Sequence, residues 1–218
     1  MTDLSDWSAK EPVGRKVFEG RFVRLEPLDA DVHGRELFLA SSMSDVDDRF
    51  RYLAEEPPTD FDSFRLWLEK AQASEDPLYF AVIDKASGKV VGRQTFMRTN
   101  AAHGVTEIGN IYWSALIART PATTEACYLF ANYVFEELHY RRFEWKCNND
   151  NEPSKRAAIR YGFKAEGVHR QSKNCKTSEL GSQQKTKVCL PKPVPTFGRH
   201  ALACQSRSSG YRASPCRR

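Results

Sequence analysis

Three groupings in the chain combine residue types and spacings suited to chemistry. The first is Arg119-Thr120-Pro121-Ala122-Thr123-Thr124, where a loop gives way to a helical pattern. Thr120 can cap that helix, and Pro121 suits its first turn because the missing N–H had no helical partner anyway. Free amides in a first turn and the positive end of the helix dipole both favour negative charge, so the segment can hold a phosphate-like anion. Taken alone, it is also an ordinary capped helix start. The second grouping is Glu107 in the run Val105–Trp113, a strand carboxylate that can accept a proton or simply face solvent. The third is Asn151-x-x-Ser154 at the opening of a short helix, where polar side chains can serve a ligand or only the helix start. His139 and His169 read as a helix C-terminal cation and a surface strand residue. Tyr112-Trp113 is either core packing or the lining of an opening.

A legible series of elements must position these groups. Residues 21–28 alternate apolar and charged side chains and stop at Asp29, a strand followed by a helix start; Val32, Leu37 and Leu39 suggest a short helix. Residues 45–60 are charged and contain Pro57-Pro58, which predicts a loop. Phe61 to Leu68 form an amphipathic helical face before Pro77. Residues 78–84 and 90–98 make a hairpin around Ser87-Gly88, and 105–113 is a further strand. A helix is expected from Pro121 to about His139, a strand over 143–148, a helix over 153–161 closed by Gly162, and a strand over 163–170. The order β-β-β-α-β-α-β implies antiparallel strands, then a helix and a strand able to lie parallel.

Composition narrows the classes. At 218 residues, with 40% hydrophobic and 11% aromatic content, the chain can build one sizeable α/β domain. The net charge of +5 is uneven: ten Lys/Arg against one Glu after residue 171 leave the remainder mildly acidic. No run of 18 apolar residues exists, and the polar start is unlike a secretory signal, so a cytoplasmic protein is expected. Of six cysteines, four lie in the basic tail at spacings too wide for a zinc knuckle, so no metal is expected.

The stretches EIGNIYWSALIARTPATTEACYLFANYVFEEL, RRFEWKCN and NEPSKRAAIRYGFKAEGVHR resemble the GNAT superfamily. Within it, and in the opening EGRFVRLEPL, they are similar to the ribosomal-protein N-acetyltransferase-like (RimJ/RimL) branch. The string Asn151-x-x-Ser154 … Tyr161-Gly162-Phe163-x-x-Glu166-Gly167 carries most of the resemblance. It implies an α/β (α+β) fold with a mixed, mostly antiparallel sheet and flanking helices over 18–171, after an extension over 1–17. It also implies an enzyme that takes acetyl-CoA as co-substrate, without a metal. The family's pyrophosphate loop corresponds to 118–123, with departures: Pro121 stands where the second glycine belongs, and Thr123 replaces the final small residue. The implied cofactor contacts are Arg119, the amides of Thr120, Ala122, Thr123 and Thr124, and Asn151. Glu107 matches the strand carboxylate that serves many members as base. Ala158 replaces the Tyr many members use as acid, leaving Ser154 to hydrogen-bond near the thiol.

Residues 172–218 have no period and few large apolar groups, so a basic tail without fixed structure is expected, and with it a sheet missing its final strand. Two functions follow: N-acetyl transfer to a primary amine of a small molecule or protein N-terminus, or CoA binding with weak catalysis because the last strands are lost. A tail with two aromatics and no motif gives little support for nucleic-acid binding, and no membrane partner is expected.

Overall fold

The structure, a computed structural model, describes residues 6–169 and 185–190. Its strands are β1 (Phe18–Glu19), β2 (Val23–Pro27), β3 (Leu78–Asp84), β4 (Val90–Asn100), β5 (Val105–Trp113), β6 (Arg142–Asn148), β7 (Lys164–His169) and β8 (Lys185–Leu190). The helices are α1 (Ala30–Ala40), α2 (Val46–Phe50), α3 (Phe61–Ala73), α4 (Pro121–Asn132) and α5 (Glu152–Arg160); α4 runs on through a π-helical turn at Tyr133–Glu137. One sheet of order β1-β2-β3-β4-β5-β6-β8-β7 holds all eight strands, antiparallel except where β5 meets β6.

Local chemistry sets the element ends. Asp29 starts α1 by accepting from the amides of Asp31 and Val32, each at 2.9 Å. Asp60 starts α3 through the Ser63 amide, and Asn151 starts α5 through the Ser154 amide at 3.1 Å. Gly162, at φ 91°, lets the chain leave α5 while the Phe163 amide returns to the Ala158 carbonyl.

Strand alternation divides the interior in two. Phe80, Val82, Phe96, Ile108, Phe143 and Trp145 pack with α4 and α5, where the Phe96 and Phe130 rings stack 3.7 Å apart. Tyr79 and Ala81 turn to the other face and pack with Leu37 of α1 and Phe64 and Leu68 of α3. Glu125 ties α4 to the first hairpin: its carboxylate accepts from the amides of Arg21, Phe22 and Val23 at 2.6–2.9 Å. The N-terminal extension lies along the domain, with Trp7 Nε1 donating to the Ala102 carbonyl and the Gly14 amide to the Tyr133 hydroxyl.

Two sequence expectations need correction. The segment expected to be a loop over 45–60 contains the short helix α2, anchored by the buried Phe50 against Tyr112. The expectation of no fixed structure after 171, and of a sheet without its last strand, does not hold for residues 185–190. Strand β8 pairs antiparallel with β6 on one side and β7 on the other. Thr186, Val188 and Leu190 alternate with Lys185, Lys187 and Cys189, a pattern too short to stand out in a Lys- and Ser-rich segment. The unpaired backbone of β6 and β7 supplies the partners that fix it. The rest of the 172–218 expectation lies outside the described residues.

Replacing Glu125 by Ala would strand three backbone amides and loosen α4 from the first hairpin. Hydrogen bonds to a charged acceptor contribute about 1.5–3 kcal/mol each where buried. At this partly exposed site, a loss of about 2–3 kcal/mol is expected in urea unfolding, with Glu125→Gln losing less. An unchanged midpoint for Glu125→Ala would show that core packing alone holds α4.

Candidate active site

The site begins where two parallel strands stop pairing. Strands β5 and β6 are in register from Val105 opposite Arg142 to Ile108 opposite Trp145, and β5 then continues to Trp113 without β6 as partner. On its other side, β5 places Asn110 and Ile111 opposite the single residue Gln94, a bulge in which Asn110 takes φ 46°. Asn tolerates this left-handed conformation better than most residues. Arg93, 1% exposed, holds the bulge by donating Nη1 to the Asn110 carbonyl at 2.9 Å. Its other arm pairs with Glu55, and its guanidinium stacks 4.6 Å from the Trp67 ring. Asn110 Nδ2 donates to the Tyr79 hydroxyl at 3.2 Å, and burial pushes that phenol's pKa up.

Beyond the bulge, Trp113, Trp145 and Tyr161 form a triangle of rings with centroids 6.0–6.5 Å apart on the α4–α5 face. Trp113 Nε1 donates to Gln94 Oε1, and Trp145 Nε1 to Ser154 Oγ at 2.9 Å. Ser154 therefore lies over the triangle with its hydroxyl already accepting one bond, and the Asn151 side chain is engaged as the α5 cap.

The N-terminus of α4 lies beside this triangle, because Thr123 in its first turn meets Tyr161. The expected Thr120 cap is not formed. Thr120 Oγ1 donates back to the Ile117 carbonyl at 2.7 Å, and among the described residues no side chain caps α4. The preceding residue, Arg119, has an unusual backbone. It sits at φ 64°, a left-handed conformation uncommon for any residue other than glycine. Arg119 itself is exposed, Ala122 and Thr123 are buried, and Thr124 is half-buried. A cleft of about 450 Å³ borders Thr120, Pro121 and Ala122, between α4 and the β3–β4 hairpin. A cation that sequence reasoning missed, Arg160, completes this end: its Nη2 lies 2.8 Å from the Tyr161 hydroxyl and 3.4 Å from Thr123 Oγ1. Burial raises the Tyr161 pKa, while Thr123 and Arg160 pull it the other way.

Glu107 occupies the opposite face of β5, beside Met97 and Gly109. It is 2% exposed, so the solvent-facing alternative is excluded. Its carboxylate accepts from Lys146 Nζ at 2.6 Å and from Arg98 Nε and Nη2 at 3.1 and 3.2 Å. Lys146 also reaches Glu144 at 2.7 Å, and Glu144 pairs with Arg142, which pairs with Glu166. Burial holds the Glu107 pKa above its ordinary value; Lys146 and Arg98 oppose that without cancelling it. Burial works against charge on Lys146, yet Glu107 and Glu144 together keep its pKa raised. His139 ends the helical segment at φ 54° and makes no contact with this cluster among the described ones; His169 ends β7, and its side chain lies outside what the structure describes. No group of His, Cys, Asp and Glu suited to a metal occurs among the described residues.

The family model "Acetyltransferase (GNAT) domain" matches residues 23–164. The fold is similar to that of a GCN5-related N-acetyltransferase from Brucella melitensis, at 50% identity and TM-score 0.88, covering 92% of this chain and 90% of that one. An acetyltransferase of the GNAT family from Chromobacterium violaceum is 32% identical with TM-score 0.78, over 88% and 94% of the two chains. The microcin C7 self-immunity acetyltransferase MccE, solved in complex with acetyl-CoA and AMP, shares the fold at 19% identity and TM-score 0.67, over 79% and 93%. No curated protein matches the chain at a significant level.

Replacing Asn151 by Ala should remove the α5 cap at a cost of about 1 kcal/mol, measurable as a lower denaturation midpoint. A midpoint equal to wild type would mean that the packing of Ala158 and Tyr161 alone fixes the start of α5.

Proposed function

The chain belongs to the GNAT acetyltransferase family and is an acyltransferase; from that premise we propose that it moves an acetyl group from acetyl-CoA directly to a primary amine. The parting of β5 from β6 after Ile108 and Trp145 carries the reading, because it opens the sheet between the ring triangle on one face and Glu107 on the other. Acetyl-CoA lies along the triangle with its diphosphate at the uncapped start of α4, near Arg119 and the amides of Ala122, Thr123 and Thr124. Pro121 gives no amide, but no side-chain cap among the described residues competes with an anion for the others. Asn151 orients Ser154 through the α5 cap, and Ser154 stands at the sulfur.

On this reading the amine arrives from the α1–α3 face and loses its proton to Glu107, directly or through water. Its nitrogen then attacks the thioester carbonyl, the C–N bond forms as the C–S bond breaks, and the departing thiolate takes up the proton that the new amide nitrogen sheds, leaving as CoA. A small molecule or a protein N-terminus fits equally as acceptor, and the string 151–167 keeps the ribosomal-protein N-acetyltransferase-like branch as the closer kinship. No helix among the described residues is long and apolar enough to cross a membrane, and buried Cys127 and Cys147 suit a reducing cytoplasm.

Release of CoA thiol across a panel of primary amines tests the activity; no release with any amine above the amine-free rate would overturn it. Glu107→Gln should lower kcat about 10²–10⁴-fold with little change in acetyl-CoA affinity. The base works only when ionised, so kcat/KM should rise with pH through a value above the ordinary glutamate 4.5. Lys146→Met removes a cation that favours the carboxylate, so this rise should move to still higher pH. A pH profile identical to wild type in Lys146→Met would remove Glu107 from the role of base.

A further inference from the structure

An amine must reach the Glu107 carboxylate, yet that residue is 2% exposed. Two of the side chains beside it come from a single distortion of β4. The pairing of β4 with β5 shifts register between Met97 and Asn100, and Arg98 takes φ 50°, a left-handed conformation unfavourable for a residue with a side chain. Asp76 holds it there: Oδ1 accepts from the Arg98 amide at 2.8 Å and Oδ2 from the Thr99 amide at 3.1 Å. An unbroken strand sends neighbouring side chains to opposite faces. Here the successive residues Met97 and Arg98 both come to the Glu107 carboxylate. Met97 pairs across from Glu107 and lies over Gly109, where any added side chain would strike its Sδ. Arg98 lays its guanidinium on both carboxylate oxygens. A bulge that re-aims a side chain beside a reactive group is a built feature, not a defect.

The two oxygens differ in their partners. Oε2 receives Lys146 Nζ at 2.6 Å as well as Arg98 Nε at 3.1 Å. Oε1 is the oxygen nearer Gly109, and so nearer the parting of β5 and β6. Among the described residues it receives Arg98 Nη2 alone. Exposure separates the two cations as well: the Lys146 side chain is 17% exposed and that of Arg98 41%. Lys146 is the inner partner, and Arg98 is the cover on the solvent side.

We propose that Arg98 is a placeholder for the acceptor: the protonated amine displaces its guanidinium from Glu107 and takes the same position on Oε1. The inference rests on Glu107 as the base in the reading above and deepens it. Displacement exchanges one cation for another, so the buried carboxylate is never left without a partner, a strongly destabilising state. Oε1 then takes the ammonium proton, while Lys146 stays on Oε2. The exchange selects acceptors that arrive as ammonium ions, the class of aliphatic primary amines. Arg98 is thus a positioning residue that acts through Glu107, and Asp76 sets its aim.

CoA release by the full chain, with the fastest aliphatic amine of the panel above, tests this. Each variant is compared on the plateau of its own pH profile, because losing a cation moves the Glu107 carboxyl further up. Arg98→Ala should lower the KM for the amine about 3- to 10-fold with kcat little changed. Ethylguanidinium should inhibit that variant competitively with the amine, by refilling the vacated place, and leave wild type unaffected at the same concentration. Arg98→Lys keeps the charge without the fork, so its KM should fall between, and it decides the matter even where the Ala variant folds poorly. A purely structural Arg98 predicts the opposite, a loss of stability and kcat with KM unchanged or raised. That result in both Arg98 variants would overturn the proposal, as would ethylguanidinium inhibition of wild type and variant alike. Glu107→Gln separates the two failures. Wild-type turnover there sinks the base reading and the placeholder with it; lost turnover there, beside a wild-type KM in Arg98→Ala, sinks the placeholder alone.

Discussion

A buried guanidinium sets the shape of the site. Arg93 lies almost wholly out of water, where an unpaired charge would be severely destabilising, so each of its bonds is a fixed constraint. One arm takes the Asn110 carbonyl, which the bulge has turned out of the ladder with β4, and so satisfies the group that irregular pairing would otherwise strand. The other arm takes Glu55, drawing the segment between α2 and α3 down onto the sheet. Trp67 covers the guanidinium face. Without that carbonyl contact the bulge would lose its anchor, and without the bulge β5 would have no local reason to diverge from β6 beyond Ile108.

Strand alternation then sorts the chemistry onto two faces. Ile108 belongs to the α4–α5 core, so Glu107 beside it belongs to the other face; Trp145 and Lys146 repeat this on the neighbouring strand. The ring triangle, Ser154 and the cations near α4 fall on one side, and the ladder Arg98–Glu107–Lys146–Glu144–Arg142–Glu166 on the other. That ladder draws on four strands, β4, β5, β6 and β7, with alternating charge, so no carboxylate in it is left without a cation. It stabilises Glu107 as an anion while burial resists the charge, and the balance leaves a carboxylate easier to protonate than an exposed one.

Short-range signals made much of this legible in the sequence. Asp29, Asp60 and Asn151 sit beside the amides they bind, and the alternation of 78–84 and 90–98 is a local pattern. Glu107 could be singled out as a strand carboxylate, but its burial could not, because that depends on Arg98 and on Lys146, thirty-nine positions away. The pairing of Arg93 with Glu55 and the reach of Arg160 to Thr123 are equally non-local, and nothing in the spacing marks them. Thr120 misled for a different reason. Its residue type and place suit a cap, but next to the left-handed Arg119 its hydroxyl bonds back to the Ile117 carbonyl instead. Strand β8 escaped notice because six residues of weak alternation specify a strand only once an open edge is there to receive them.

The same separation of faces constrains any reaction run here. On the proposed reading, a co-substrate along the ring triangle and an amine at Glu107 would approach from opposite sides of the sheet, so they could touch only where the sheet is open. In a fully paired sheet, backbone hydrogen bonds fill that plane and would block the encounter. Between β5 and β6 those bonds end at Ile108 and Trp145, one residue beyond Glu107 and beside Lys146. The reacting atoms would therefore meet within reach of the ion ladder and of the two tryptophans at once. Strand β8 bears on this indirectly: by pairing with β6 along its far edge, it holds β6 from the side away from the opening. The expectation of binding without catalysis grew from a sheet lacking its last strand, and β8 stands in that place beside β6.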